Sequence, residues 1–409
     1  MSGPVEPTFD LVFQDAWIFD GERTLPKPTS VGITDGRIAK ISQSHLSGRQ
    51  TVNAAGLWLT PGLIESHIHL FDFQNAINPE AMGHYIKEEL PKNLRSFLDY
   101  GITSVKSVGD PLPEIGDVRN RLASGDLSGP RLLMTGVGIT APGGHPSATV
   151  YGRNPWYRLR AASEIGSVDE ARDVVNAMAE KGVDAIKLLL QGGCRCSGEP
   201  DYKWHGMVSI QRMKPEVLEA AVAEARRLGF KTTVHTFEEE RAIEALEAGA
   251  DGVEHGVVAT RISDKRFIDL LLKNDASYVP TLWVYPRAEA MHNLALVRDA
   301  GVRIVLGSDS FAPTVQIEGL ESGMFGANSI VEAERMALSG LTATEILRSA
   351  TGLAAVHLGR SDIGVIAEGR QADLLLLQAD PTVSVENLKS PLKVIQGGRI
   401  VVDRAEQQA

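Results

Sequence analysis

Between about residue 61 and residue 360, short apolar runs alternate with amphipathic helical stretches, and this alternation restricts the chain to parallel βα units. Strands are predicted at 64–70, 102–108, 131–135, 183–190, 231–235, 252–255, 278–281 and 304–309. Helices are predicted at 215–228, where Val217, Leu218, Ala221, Val222 and Ala225 recur at helical spacing, and at 238–247 before Ala248-Gly249-Ala250. Eight parallel strands with helices between them close into a (β/α)8 TIM barrel, so the predicted fold class is α/β.

The two ends read differently. Up to residue 60, β-like runs alternate with turns: Leu11-Val12-Phe13, Trp17-Ile18-Phe19 before Asp20-Gly21, Val31-Gly32-Ile33-Thr34 before Asp35-Gly36, then Ile38-Ala39-Lys40-Ile41. Asp-Gly between apolar runs signals a hairpin. After residue 361 the style returns in Gly364-Val365-Ile366, in Ala372-Asp373 with Leu374 to Leu377, and from Val394 to Val402. Neither end alone has enough strands to bury a sheet face. We therefore expect 1–60 and 361–409 to form one small β-sandwich domain built from both chain termini, with 61–360 as the barrel domain.

Composition narrows the partners. A formal net charge of −11, with no basic stripe, disfavours nucleic acid. No apolar run approaches the ~18 residues of a membrane span, and the first residues lack a signal-peptide pattern. The expectation is a soluble cytoplasmic protein acting on a small molecule, without nucleic-acid or membrane partners, as a homo-oligomer. Cys194 and Cys196 are the only cysteines, too few for a disulfide framework, and are expected to stay reduced in a loop; a Cys-x-Cys metal pair lacks a second pair to complete it.

The chemistry begins at Pro61-Gly62-Leu63-Ile64-Glu65-Ser66-His67-Ile68-His69-Leu70. His67 and His69 stand two apart, so a strand aims both imidazoles at one face. Four later runs each carry a residue suited to a metal site at or near their C-terminal end: Ala185-Ile186-Lys187-Leu188, Thr233-Val234-His235, Val253-Glu254-His255-Gly256 and Gly307-Ser308-Asp309. In a parallel barrel that end is the catalytic face. Lys187 interrupts an apolar strand, and a buried lysine is neutral, paired or modified. A neutral amine near metal ions can add carbon dioxide to give a carbamate that bridges two cations; the alternatives are an ion pair with Asp184 or emergence at a strand edge. His235 and His255 could instead hydrogen-bond carbonyls, and Asp309 could cap the next helix.

Taken in order, these motifs resemble the metal-dependent amidohydrolase superfamily, and more narrowly its imidazolonepropionase-like and Xaa-Pro dipeptidase-like branch. Supporting matches are Gly143-Gly144-His145, Thr351-Gly352-Leu353-Ala354-Ala355 and Gly369-Arg370-Gln371-Ala372-Asp373-Leu374. The resemblance implies two divalent metal ions, most often zinc. His67, His69 and Asp309 would hold the more buried ion, His235 and His255 the more exposed one, and a carbon dioxide-derived carbamate on Lys187 would bridge them. It further implies water activated between the cations, with Asp309 shuttling the proton.

By the same resemblance, His145 in its glycine-rich loop would stabilise the transition-state oxygen and touch substrate; a plain loop histidine is the alternative. Tyr151 and Arg153 are candidate substrate contacts, Arg153 through a bidentate pair with a carboxylate; a surface salt bridge is its bland alternative. Two stretches depart from the pattern. Gln211-Arg212-Met213-Lys214-Pro215-Glu216 lacks the aromatic common in related dipeptidases, which Tyr202 would have to supply, and Thr236-Phe237-Glu238-Glu239-Glu240 is bulkier and more acidic than expected. The loop from Gly192 to His205 reads as a lid. The expected function is hydrolysis of a C–N amide bond, in an N-acyl amino acid or dipeptide. Alternatives are a cyclic amide or carbamate, an ester or phosphotriester, or a non-catalytic scaffold on the same barrel.

Overall fold

Residues 9–191, 210–317, 320 and 323–404 are described by a computed structural model. The apolar run Leu63–His69 forms a parallel strand beside Ile102–Ser107, which in turn pairs with Arg131–Met134; Ser310–Phe311 adds to its other edge opposite Ile68 and His69. A second parallel sheet runs in the order Ala162–Glu164, Gly138–Thr140, Ile186–Leu189, Thr232–His235, Gly252–Glu254, Ser277–Val279, Arg303–Ile304. Backbone hydrogen bonds join the two sheets at both edges. Asp184 N–H donates to Met134 O (2.8 Å) on one side, and Ser66 N–H to Leu306 O (3.0 Å) and Asp309 N–H to His67 O (2.9 Å) on the other.

Register sets the site's level. Leu189 lies opposite His235, and His235 opposite Glu254, so neighbouring strands end together and deliver their last side chains to one mouth. Helices cover the outside. The helix Val168–Glu180 starts at a Ser167–Glu170 capping box. The helix Pro215–Arg227 buries the five apolar positions predicted from its periodicity. Burial of each Val or Leu among them contributes roughly 1.5–3 kcal/mol.

Strands from both chain ends share a third sheet, ordered Arg399–Asp403, Lys393–Gln396, Leu374–Leu377, Trp58–Pro61, Phe9–Ile18, Thr29–Thr34, Arg37–Ser42, with Gly48–Asn53 paired to Phe9–Ile18. The four consecutive leucines are explained by the strand's two faces. Leu374 and Leu376 pack with Leu11, Phe13, Ile18 and Ile33, whereas Leu375 and Leu377 point into the main core. The hairpin at Asp35-Gly36 forms as expected, both residues having the positive φ (50° and 74°) of a primed turn.

Several expectations change. The run at 11–13 and Trp17-Ile18 belong to one strand, bulged between Phe13 and Ala16, with Asp15 at φ 60°, and Phe19 lies just beyond it. Gly364-Val365-Ile366 forms no strand: Gly364 sits at φ 78°, which breaks extended backbone. The predicted strand at 304–309 is interrupted after Ile304 and resumes only at Ser310. There Gly307 passes so close to its neighbours that an added Cβ would lie 2.5 Å from the Val279 side chain, and Asp309 turns to φ 60°. Two short strands, Gly138–Thr140 and Ala162–Glu164, were not expected.

Candidate metal centre

Five imidazoles form a continuous row across the mouth. Ring centroids are 5.5 Å apart for His69 and His67, 5.0 Å for His67 and His255, 4.6 Å for His255 and His235, and 4.5 Å for His235 and His145. His67 and His69 come from alternate positions of one strand, His235 ends its strand, and His255 directly follows Glu254. Asp309 lies among them, Oδ1 being 3.3 Å from His67 Nε2 and 3.2 Å from His69 Nε2, and Oδ2 3.8 Å from His255 Nδ1. All of these groups, with Lys187, line one cavity of about 660 Å3 of empty space that is open to solvent.

Backbone strain aims two of the groups. His255 (φ 67°) and Asp309 (φ 60°) are both left-handed, as is Thr281 (φ 48°), whose hydroxyl lies 2.8 Å from His255 Nδ1. A β-branched residue there is costly and persists only where its surroundings hold it, as at binding sites. His235 Nε2 is similarly tied to Gln191 Oε1 (2.9 Å), and His145 Nδ1 to Thr149 Oγ1 (2.7 Å). These partners orient the rings.

The electrostatics suit a cation. Burial, reinforced by His145 and His255, holds His235 well below the usual histidine range; burial likewise depresses His255, against the pull of Asp309. Both imidazoles are therefore neutral, the form that ligates metal. Burial would raise Asp309, but His67, His69 and His255 hold its carboxyl well below the ordinary range. Burial brings Lys187 down to about 8, despite the opposing pull of Glu254 and Asp309. The nitrogen atoms His67 Nε2, His69 Nδ1 and Lys187 Nζ are buried without a hydrogen bond among the described residues. Buried polar atoms are rarely left so unless an unseen partner completes them. His67, His69 and Asp309 offer ligand atoms all within 4.8 Å of one another, which is close enough to share one ion. The residues present thus fit a divalent metal.

Of the residues singled out in the sequence, the structure gathers His67, His69, His145, Tyr151, Lys187, His235, His255 and Asp309 on this cavity. Tyr151 lines it with its ring while its hydroxyl donates to Gly109 O at 3.0 Å. Arg153 is exposed and is not among the cavity's lining residues. Lys187 does not pair with Asp184, which instead accepts from Arg119 at 3.2 Å and from Met134 N–H. Cys194, Cys196, Tyr202 and the expected lid lie outside the described residues.

Sequence reasoning missed a buried polar chain beneath the row. Glu254 Oε2 lies 2.7 Å from His67 Nδ1, Lys106 Nζ donates to Glu254 Oε1 at 3.0 Å, and Thr233 Oγ1 donates to the same oxygen. Lys106 Nζ also reaches His357 Nε2 at 2.6 Å. Lys106 sits in a fully buried strand as Lys187 does, but its polar neighbours Ser104 and Ser107 kept that run from reading as apolar. The apolar wall was missed too: Phe73, Val150, Leu189, Val284, Tyr285, Phe311 and Ile317 face the cavity.

The sequence model of the amidohydrolase family matches residues 58–401. An uncharacterized protein of Mycobacterium tuberculosis (strain ATCC 25618 / H37Rv) is 26% identical over 399 residues, covering 92% of this chain and 93% of its own length. A solved Xaa-Pro dipeptidase with bound methionine in the active site superposes with a TM-score of 0.77 at 22% identity, covering 95% of this chain and 99% of that one. A solved prolidase complexed with N-methylphosphonate-L-proline gives a TM-score of 0.79 at 22% identity, over 96% and 100% of the two chains. Family motif, fold and site agree: the chain belongs to the amidohydrolase family and is a hydrolase acting on carbon–nitrogen bonds.

Proposed function

We propose that this enzyme carries a binuclear metal centre and hydrolyses the amide bond of an N-acyl amino acid or dipeptide. The observation that carries the reading is the row of imidazoles converging on one cavity with Asp309 and with Lys187 Nζ, which has no hydrogen bond among the described residues. His67, His69 and Asp309 would hold one ion, His235 and His255 the other, with carboxylated Lys187 between them. Divalent ions bound there would polarise the scissile carbonyl and acidify water. Asp309 then accepts the proton of the attacking water on a carboxylate oxygen and returns it to the departing nitrogen. His145, held through Nδ1 by Thr149, donates to the developing oxyanion. The apolar wall around Phe73, Tyr285 and Phe311 excludes water and receives an apolar side chain.

We further read the two parallel sheets as one closed (β/α)8 barrel over 61–360, and the strands of 1–60 and 361–409 as a β-sandwich domain. The backbone bonds across both sheet edges and the separate terminal core support that division.

A second reading has its own support. Among the described lining residues there is no arginine and the one lysine is Lys187, assigned above to the metal site; Arg153 lies elsewhere. That arrangement favours a neutral cyclic amide or carbamate, which has no carboxylate to bind. A panel of N-acyl amino acids, dipeptides, neutral cyclic amides and carbamates, assayed with zinc-loaded enzyme, separates the two. Turnover confined to phosphotriesters would overturn both.

A further inference from the structure

We infer that Lys106 is a positioning residue that fixes the imidazole of His67 from beneath the site, through Glu254. Lys106 is 2% exposed and Glu254 fully buried, so each charge depends on compensation by the other. The two carboxylate oxygens of Glu254 are divided. Oε1 takes Lys106 Nζ at 3.0 Å and the Thr233 hydroxyl, leaving Oε2 for His67 Nδ1 at 2.7 Å. Lys106 is itself seated by donating to His357 Nε2 at 2.6 Å. A carboxylate anchored at one oxygen cannot rotate, so the other receives the Nδ1–H in a fixed direction. The His67 ring is thereby held in one tautomer with Nε2 turned to Asp309, 3.3 Å away.

The ends of this relay are far apart in the chain: Lys106 lies on Ile102–Ser107, Glu254 on Gly252–Glu254, and His357 closes the helix Gly352–His357. None of the three lines the upper cavity. Lys106 and His357 instead face a smaller cavity at the opposite side, shared with Asp184, Lys231 and Asp251. The hydrogen-bonded route from Lys106 to the site therefore runs through Glu254 to His67, beside the charge repulsion it exerts on Lys187. A stabilising ion pair would affect folding alone, whereas a positioning pair sets metal affinity.

The inference rests on the metal-centre reading, and the test separates the two. Zinc affinity is measured by chelator competition, and the visible spectrum of the cobalt form is recorded, for wild type and for Lys106→Met/Glu254→Gln. That double variant removes both charges of the pair together, a replacement that buried ion pairs usually tolerate. The expected result is a ~10–100-fold loss of zinc affinity with an altered cobalt spectrum, while the metal-free urea midpoint changes little. Lys106→Gln, which keeps a donor near Glu254, is the second variant and should show a smaller loss. Wild-type zinc affinity and spectrum in whichever of these variants folds would overturn the positioning role. A wild type that binds neither zinc nor cobalt would instead sink the metal-centre reading, and this inference with it.

Discussion

Replacing Lys187 by methionine should make the metal-free protein more stable while destroying its activity. The lysine is fully buried, its Nζ has no hydrogen bond among the described residues, and burial brings it from 10.5 to about 8. The unfolded chain binds this proton near 10.5 and the folded chain only near 8. Below pH ~8 the folded state therefore carries the full cost of the buried ammonium, and stability rises with pH between the two values. At ~1.4 kcal/mol for each tenfold change in proton affinity, the cost at pH 7 is about 3 kcal/mol, falling to about 1 kcal/mol near pH 9.5. Methionine is of similar length, apolar and adaptable, so it avoids that cost without leaving a large void. Urea unfolding of chelator-treated, carbon dioxide-depleted protein at the two pH values reads the difference directly. Lys187→Met should be more stable than wild type at pH 7, with the gap narrowing as pH rises. With zinc and bicarbonate present the order should reverse, because wild type alone gains the binding free energy of the complete centre. A variant less stable than wild type at pH 7 without metal, or a gap independent of pH, would refute the reasoning.

Three other substitutions probe the surrounding geometry. Gly256→Ala places a Cβ 2.2 Å from the Tyr278 ring at a residue with φ 68°, next to His255, so it should cost about 2–4 kcal/mol in urea unfolding and weaken zinc binding. Asp309→Asn keeps the shape but cannot take up the proton; kcat should fall ~10²–10⁴-fold with KM nearly unchanged, measured by steady-state kinetics at saturating metal. Phe73 packs 6.0 Å from both Tyr151 and Phe311 on the cavity wall, so Phe73→Ala should raise KM roughly tenfold for aromatic acyl substrates and much less for acetyl ones.

The sequence was most informative where chemistry interrupts apolar runs. His67, His69, Lys187, His235 and His255 each stand out because the residues before them read as buried strand. Asp309 was located by the same logic, but its strand was drawn too long: the left-handed turn that aims the carboxylate also ends the ladder, and Gly307 fits a close approach that only coordinates reveal. Lys106 escaped notice because Thr103, Ser104 and Ser107 around it resemble the polar side of an exposed strand, whereas all six residues of Ile102–Ser107 are buried. Its partner Glu254 was hidden in the motif that supplies His255. No local pattern links residues 148 positions apart, so the relay appears only when the strands are laid side by side. Arg153 shows the opposite failure. A cation among aromatics reads as a binding feature, but Tyr151 and Tyr157 turn inward to Gly109 and Asp110 and leave the arginine in solvent.

Metal content tests the central claim most directly. Protein loaded with zinc and bicarbonate, freed of excess ion and analysed by elemental mass spectrometry should hold two ions per chain, and Lys187→Met clearly fewer. Less than one ion per chain in the loaded wild-type protein would contradict the account.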